Sequence, residues 1–315
     1  MKSMPNYKDG VKSLGVPIIP MGAFPGWYGT NVYFVDGTNG RDSYDGKSPT
    51  RAKKTIQAAI TVAGSQDTIY IRTLAPDADA SDPGQYAEDL TIAYAKHGLK
   101  IIGATPHLGP YAGPKIKNAT ATTLLDIFAS AVVLENIQFN CTRNSGTYGL
   151  YLQGDAAGYT AKAGAVGLTM ANCFIKNASA SYGGIYINGG YGVTIHATEF
   201  QMCEKAIWIP GVVACNGHKI QNCDFKSNNG AAIAEHITIA AGLNVDIVIK
   251  DSTFGMATSF LSCGAGNTGI IANCQFEDLV ATLANSTGKV KVPVGTMSVV
   301  GCTGGVGLAV IQSQA

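Results

Sequence analysis

Two carboxylates, Glu199 and Asp224, each stand one residue before an aromatic in the phrases "IHATEFQ" and "IQNCDFK". If these phrases are strands stacked on neighbouring turns of chain, both side chains point the same way and lie about 5 Å apart. Acids at that distance can share a proton, or divide the roles of acid and nucleophile in glycoside hydrolysis. The same column also reads Gln138, Thr253, Gln275 and Thr303, which is the make-up of an ordinary solvated strand face. Lys176 and Lys226 follow the aligned position by one residue and are the bases this region offers. The four arginines, Arg41, Arg51, Arg72 and Arg143, all precede residue 144.

A second acidic group, Asp36, Asp42 and Asp45, lies in "YFVDGTNGRDSYDGKSPTRAKKTIQAAI", Tyr33 to Ile60. Aspartates and glycines so placed make turns through side-chain-to-backbone hydrogen bonds. A Ca2+ ion is the alternative at these three residues, although their spacing is not that of an EF-hand loop. No other cofactor is expected. The five histidines form no motif, and His196 reads as an outward strand residue. No Ser/His/Asp grouping, CxxC pair or phosphate loop is present. Trp27 and Trp208 read as single aromatics, not as a sugar-binding stripe.

What must position these residues is a repeat. "LENIQFN", "MANCFIKN", "IHATEFQ", "IQNCDFK", "IKDSTFG", "IANCQFE" and "VVGCTGG" return along the chain, aligning Phe139, Ile175, Phe200, Phe225, Phe254, Phe276 and Gly304. Most intervals are 22 to 29 residues, and one is 36. Strand-like segments of that period, joined by Gly and Asn turns, are the mark of a parallel β-solenoid, in which no coil can bury its apolar face alone. About nine coils would extend roughly 40–50 Å. Cys173, Cys223, Cys274 and Cys302 share one position with Ile137, so it faces an apolar interior where a thiol acts as a small hydrophobe. A disulfide between stacked cysteines is the rival reading. Asn136, Asn172, Asn222 and Asn273, with Asp251, precede it and read as a ladder of bent-backbone residues. The long interval holds "RNSGTYGLYLQGDAAGYTAKAGAVG", read as one extended loop.

The chain has 315 residues, 14% of them charged, and a net charge of +1, so its electrostatics call for neither nucleic acid nor an anionic membrane. No stretch of 18 apolar residues occurs, and the N-terminus lacks the apolar run of a secretory signal. Residues 1–30 are rich in Pro and Gly and read as an extended arm. Val16, Pro17, Ile18, Ile19, Pro20, Phe24 and Trp27 make it too apolar for an idle linker, and a partner-binding segment is expected there.

The phrase "YFVDGTNGRDSYDGKSP", then "KKTIQAAI", "DTIYIR", "EDLTIAYAKHGLKIIGA" and the coils, resembles the right-handed parallel β-helix family of pectate-lyase-like proteins over roughly residues 31–305. The resemblance implies an all-β, single-stranded right-handed parallel β-helix opened by a strand and an amphipathic helix that cap the first coil. Ile56, Ala59, Ile60 and Ala63 supply that helix's apolar face, Thr55 or Ser48 its N-cap and Gly64 its end. The expected organisation is an arm over 1–30, a cap and first coils over 31–98, the β-helix over 99–305 and a tail over 306–315.

The family includes polysaccharide lyases, hydrolases and epimerases, so function must be argued from the site. Few catalytic charges, an apolar arm and no export signal point to a structural role in a virion. The expectation is a bacteriophage head-decoration or head-fibre protein, assembled in the host cytoplasm, that forms a homotrimer and docks on a capsid or other virion protein through its arm. The alternative is a tailspike depolymerase, a polysaccharide lyase or epimerase, or a non-catalytic module, each engaging a surface glycan.

Overall fold

Each return of the phrase folds as two strands about a one-residue bend. In Val133–Glu135 the side chains alternate out, in and out, Asn136 takes φ 57°, and Gln138–Cys141 departs in a new direction. The same left-handed bend recurs at Asn172, Ala197, Asn222, Asp251, Asn273 and Gly301, with φ between 48° and 63°. That conformation costs an ordinary L-residue about 1–2 kcal/mol, and Gly, Asn and Asp bear it best. The amides also bond along the stack, Asn172 Nδ2 to Asn136 Oδ1 and Asn273 Nδ2 to Asp251 Oδ1. The expected ladder is therefore present, with Ala197 as a gap in it.

The residue after each bend turns inward. Cys173, Cys223 and Cys274 are buried there, and Thr198 and Ser252 hold the same slot, a membership the sequence reading missed. Each donates to the carbonyl two residues back: Cys173 Sγ to Ala171 at 3.3 Å, Thr198 Oγ1 to His196 at 3.1 Å and Ser252 Oγ to Lys250 at 2.8 Å. The slot thus selects an aliphatic side chain or a small donor. The seven described cysteines are free thiols. Burial pushes Cys173, Cys223 and Cys274 up to about 12.

These strands build three parallel sheets. The computed structural model describes residues 11–13, 16–18, 31–74, 84–104, 113–119, 123–141, 148–153, 166–177, 183–210, 215–226, 233–242, 246–255, 257–276, 290–293, 297–304 and 312–313. Among them, the first sheet has 10 strands, from Val32–Val35 to Met297–Val300. The second has 9, from Gln85–Ala87 to Thr303–Gly304, and the third 9, from Leu90–Ile92 to Gln312–Ser313. One strand of each sheet follows another in chain order, so the chain winds as a right-handed parallel β-helix. The interior is one continuous apolar column. In it Phe200, Phe225, Phe254 and Phe276 stack at 4.9, 4.6 and 5.0 Å between ring centroids.

The helix Ile56–Val62 buries Ile56, Ala59 and Ile60, and the Thr55 side chain caps it by accepting from the Ala58 N–H. It ends on Ala63, one residue before the expected Gly64. Glu88 accepts from the N–H groups of Ile56 and Gln57 at 2.9 Å each. The long interval is not one loop: Leu150–Gln153 in its midst is a strand of the third sheet. Of the arm, Val11–Ser13 and Val16–Ile18 form a short antiparallel pair; the rest, including Ile19, Pro20, Phe24 and Trp27, lies outside the described residues. No helix among the described residues is long and apolar enough to cross a membrane.

Candidate functional site

On three successive strands of the third sheet one outward aromatic stands between two inward aliphatics. Leu150 and Leu152 point in and Tyr151 out; Ile185 and Ile187 in and Tyr186 out; Ile207 and Ile209 in and Trp208 out. Parallel pairing then sets the outward residues in register: Asp126 with Tyr151, Tyr151 with Tyr186, Tyr186 with Trp208, Trp208 with Thr238. The strands can close up because Gly184 has no side chain; a Cβ there would stand 1.7 Å from the Ala206 carbonyl oxygen.

The result is a half-exposed aromatic column on the outside of the helix. Tyr151 and Tyr186 stack at 4.8 Å, and Trp208 meets Tyr186 edge to face at 5.1 Å. Tyr148, arriving from the preceding connection, lies 4.1 Å from Tyr186 and 5.5 Å from Trp208. Contacts of this kind contribute about 0.5–1.5 kcal/mol each and hold the rings in one arrangement. Lys205 Nζ sits 4.4 Å over the Trp208 ring. The opposite end is polar. Asn188 Nδ2 donates to the Tyr151 hydroxyl at 3.1 Å, and burial raises the Asp126 carboxyl above its ordinary range although Gln153 hydrogen-bonds it. Such a surface offers flat apolar faces flanked by a cation, a carboxylate and amides.

Trp208 is therefore not a single aromatic, which corrects the sequence reading. The signal was there in "GLYLQ", "GIYIN" and "AIWIP", a second recurring phrase with an aromatic between two inward aliphatics. The spacing hides it, because connections of very different length lead into the third sheet.

On the second sheet, Glu199 and Asp224 are in-register neighbours, as the spacing predicted. They are not a solvated pair. The Glu199 side chain is 7% exposed, and Lys226 Nζ bridges it at 3.1 Å and Asp224 at 2.8 Å. Thr253 Oγ1 donates to Asp224 Oδ1 at 2.6 Å. Burial works against the Lys226 charge, but its hydrogen bonds to Asp224 and Glu199 outweigh that and raise it above the ordinary lysine range. An ammonium so held is poorly placed as a base. Lys176 lies in the same outward column, two coils away.

Asp36, Asp42 and Asp45 serve turns. Asp36 accepts from Thr38 N, Asn39 N and Asn39 Nδ2 and pairs with Arg72. Asp42 accepts from Lys54 N, Thr55 N and Thr55 Oγ1, and Asp45 from Lys47 N and Arg51 Nε. Among the described residues, no group of three or more His, Cys, Asp or Glu side chains could hold a metal ion.

With this geometry in view, the fold can be set beside known proteins. No protein-family model and no curated protein matches the sequence. Among solved structures, the pectin methylesterase of Aspergillus niger in deglycosylated form superposes with TM-score 0.53 at 15% identity, covering 91% of this chain and 90% of that one. A rhamnogalacturonan lyase superposes with TM-score 0.50 at 10% identity, covering 79% of this chain and 68% of that one. Likeness at this level shows the β-helix fold. The virion expectation finds no support in them.

Proposed function

We propose that the protein is a glycan-binding β-helix that holds a polysaccharide against the outward face of its third sheet. The observation that carries this reading is the Tyr148–Tyr151–Tyr186–Trp208 column with Lys205 and Asp126 at its ends. Pyranose rings present apolar C–H faces and a rim of hydroxyls, so they pair with aromatic faces bordered by carboxylate, amide and ammonium groups. The two solved structures above carry names of enzymes acting on pectic polysaccharides, in keeping with a glycan ligand. Turnover is not part of the proposal, because Glu199 and Asp224 are both committed to Lys226.

The test is electrophoresis of the native protein through gels containing pectin, rhamnogalacturonan, alginate or a neutral glucan. The expected result is retardation by at least one of them, weakened about tenfold or more in Tyr186→Ala and Trp208→Ala, the loss of ~1.4 kcal/mol or more for a central ring contact. Equal migration in all gels, or variants retarded like the parent chain, overturns the reading.

A further inference from the structure

The slot after each bend is filled in chain order by Ile137, Cys173, Thr198, Cys223, Ser252, Cys274 and Cys302. Cysteines occupy successive coils in one place, Cys274 and Cys302. Both flanks of their bends are zipped together: Ala272 pairs with Val300 and Gln275 with Thr303, and Thr303 N donates to Cys274 O at 2.9 Å. The bends themselves superpose, since Gly301 has φ 63° and a Cβ there would stand 2.6 Å from Asn273 Oδ1. The register therefore sets the two cysteines one above the other on adjacent coils, each thiol donating to the carbonyl two residues back, Cys274 to Ala272 at 3.4 Å and Cys302 to Val300 at 3.6 Å. Cys274 is 1% exposed, whereas Cys302, in the last described turn of the first and second sheets, is partly open to solvent.

We infer that Cys274 and Cys302 are an oxidisable pair, a modification site at which a disulfide ties the terminal coil to the one beneath it. The coil spacing of about 4.8 Å puts their Cα atoms inside the roughly 4.4–6.8 Å window of protein disulfides. Parallel Cβ vectors must close slightly to make the bond, so it is a strained disulfide and readily reduced. The reaction has a defined order. The more accessible Cys302 attacks a small-molecule disulfide of the glutathione class, forming a mixed disulfide and releasing one reagent thiol. The Cys274 sulfur then attacks the Cys302 sulfur and expels the second reagent thiol. Two protein thiols are oxidised and one reagent disulfide is reduced to two thiols. Burial raises the Cys274 thiol, which makes the second step the slower and speeds it as pH rises.

The pair stands apart from the glycan reading and is tested without it. The folded protein is incubated with oxidised glutathione at mildly alkaline pH, quenched with acid, unfolded, alkylated with iodoacetamide and mapped by mass spectrometry. The expected product joins the Cys274 and Cys302 peptides with loss of two hydrogen atoms, leaves the other six of the 8 cysteines alkylated, and melts at a higher temperature than the reduced chain. Cys274→Ser should fold, since Ser252 fills the same slot naturally, and should stop at a glutathione adduct on Cys302. Cys302→Ser should leave Cys274 unmodified. A lasting adduct on Cys302 in the parent chain with Cys274 alkylated, a bridge to another cysteine, or no reaction of the folded protein overturns the inference.

Discussion

Two aromatic columns run along this β-helix, one inside and one outside, and the same coil repeat spaces both. Inside, Phe200, Phe225, Phe254 and Phe276 stack within 20° of parallel and are fully buried. Outside, Tyr151 and Tyr186 keep that stacking, but Trp208 turns 89° from Tyr186 and takes Lys205 over its ring. Register dictates the spacing in both columns; the environment decides what the spacing is for. Among the described residues, the inner rings pack in the apolar column beside His236, and what they contribute is stability. The outer rings are half in water beside an ammonium, a carboxylate and amides, and stability alone does not explain that arrangement.

The contrast can be broken first from the inside. Phe225→Ala should destabilise the fold by about 3–5 kcal/mol, read as a large drop in melting temperature, because its cavity lies between two stacked rings. Tyr186→Ala, in the matching outer position, should cost clearly less in the same melt, because its ring lies on the outer face and its removal leaves a groove open to water in place of a closed cavity. Equal losses would make the outer column a structural element like the inner one.

A second prediction concerns the polar groups admitted to the interior. His218 and His236 are buried, and burial lowers each to about 4; for His236 a hydrogen bond with the Gly255 carbonyl does not reverse this. The unfolded chain takes up these protons near pH 6.5 and the folded one only near 4, so stability is lost as pH falls through that window. Between pH 7 and pH 5 the expected loss is about 2 kcal/mol per histidine. His218 lies between Val193 and Ile247 in its column, and its Nε2 has no hydrogen-bond partner among the described residues. His218→Leu should flatten this part of the acid profile, and an unchanged slope would refute the assignment.

The smallest effect tests the bends. Ala197 adopts φ 48° between Asn172 and Asn222, where no side-chain amide helps. Ala197→Asn should stabilise by about 0.5–1 kcal/mol in chemical unfolding. A destabilised variant would show that the ladder does not tolerate an amide at that coil.

The difference between the columns also explains what could be read before the fold was known. The inner column and the bends lie within one contiguous phrase, in which a single left-handed residue joins strands of the first and second sheets, so Asn222, Cys223 and Phe225 keep fixed offsets in every repeat. The third sheet has no such anchor. Residues 178–184 lead into Ile185–Asn188, yet 202–204 alone lead into Lys205–Ile209. Nothing in the spacing of Tyr151, Tyr186 and Trp208 therefore announces that they are neighbours. Parallel pairing makes them so, and pairing is a tertiary fact. Glu199 and Asp224 were placed correctly because they belong to the regular phrase. The bridge by Lys226 was not foreseen, because register alone does not say where a lysine ammonium will settle.

The central claim is that the outer column faces a sugar chain, and Trp208 can report it directly. In a Trp27→Phe chain Trp208 is the sole tryptophan. Titration with the polysaccharide that retards the protein should change its emission in a saturable way, in step with binding, while Phe225→Leu in the same background leaves the isotherm in place. An emission that stays constant while the protein is demonstrably bound would contradict the account.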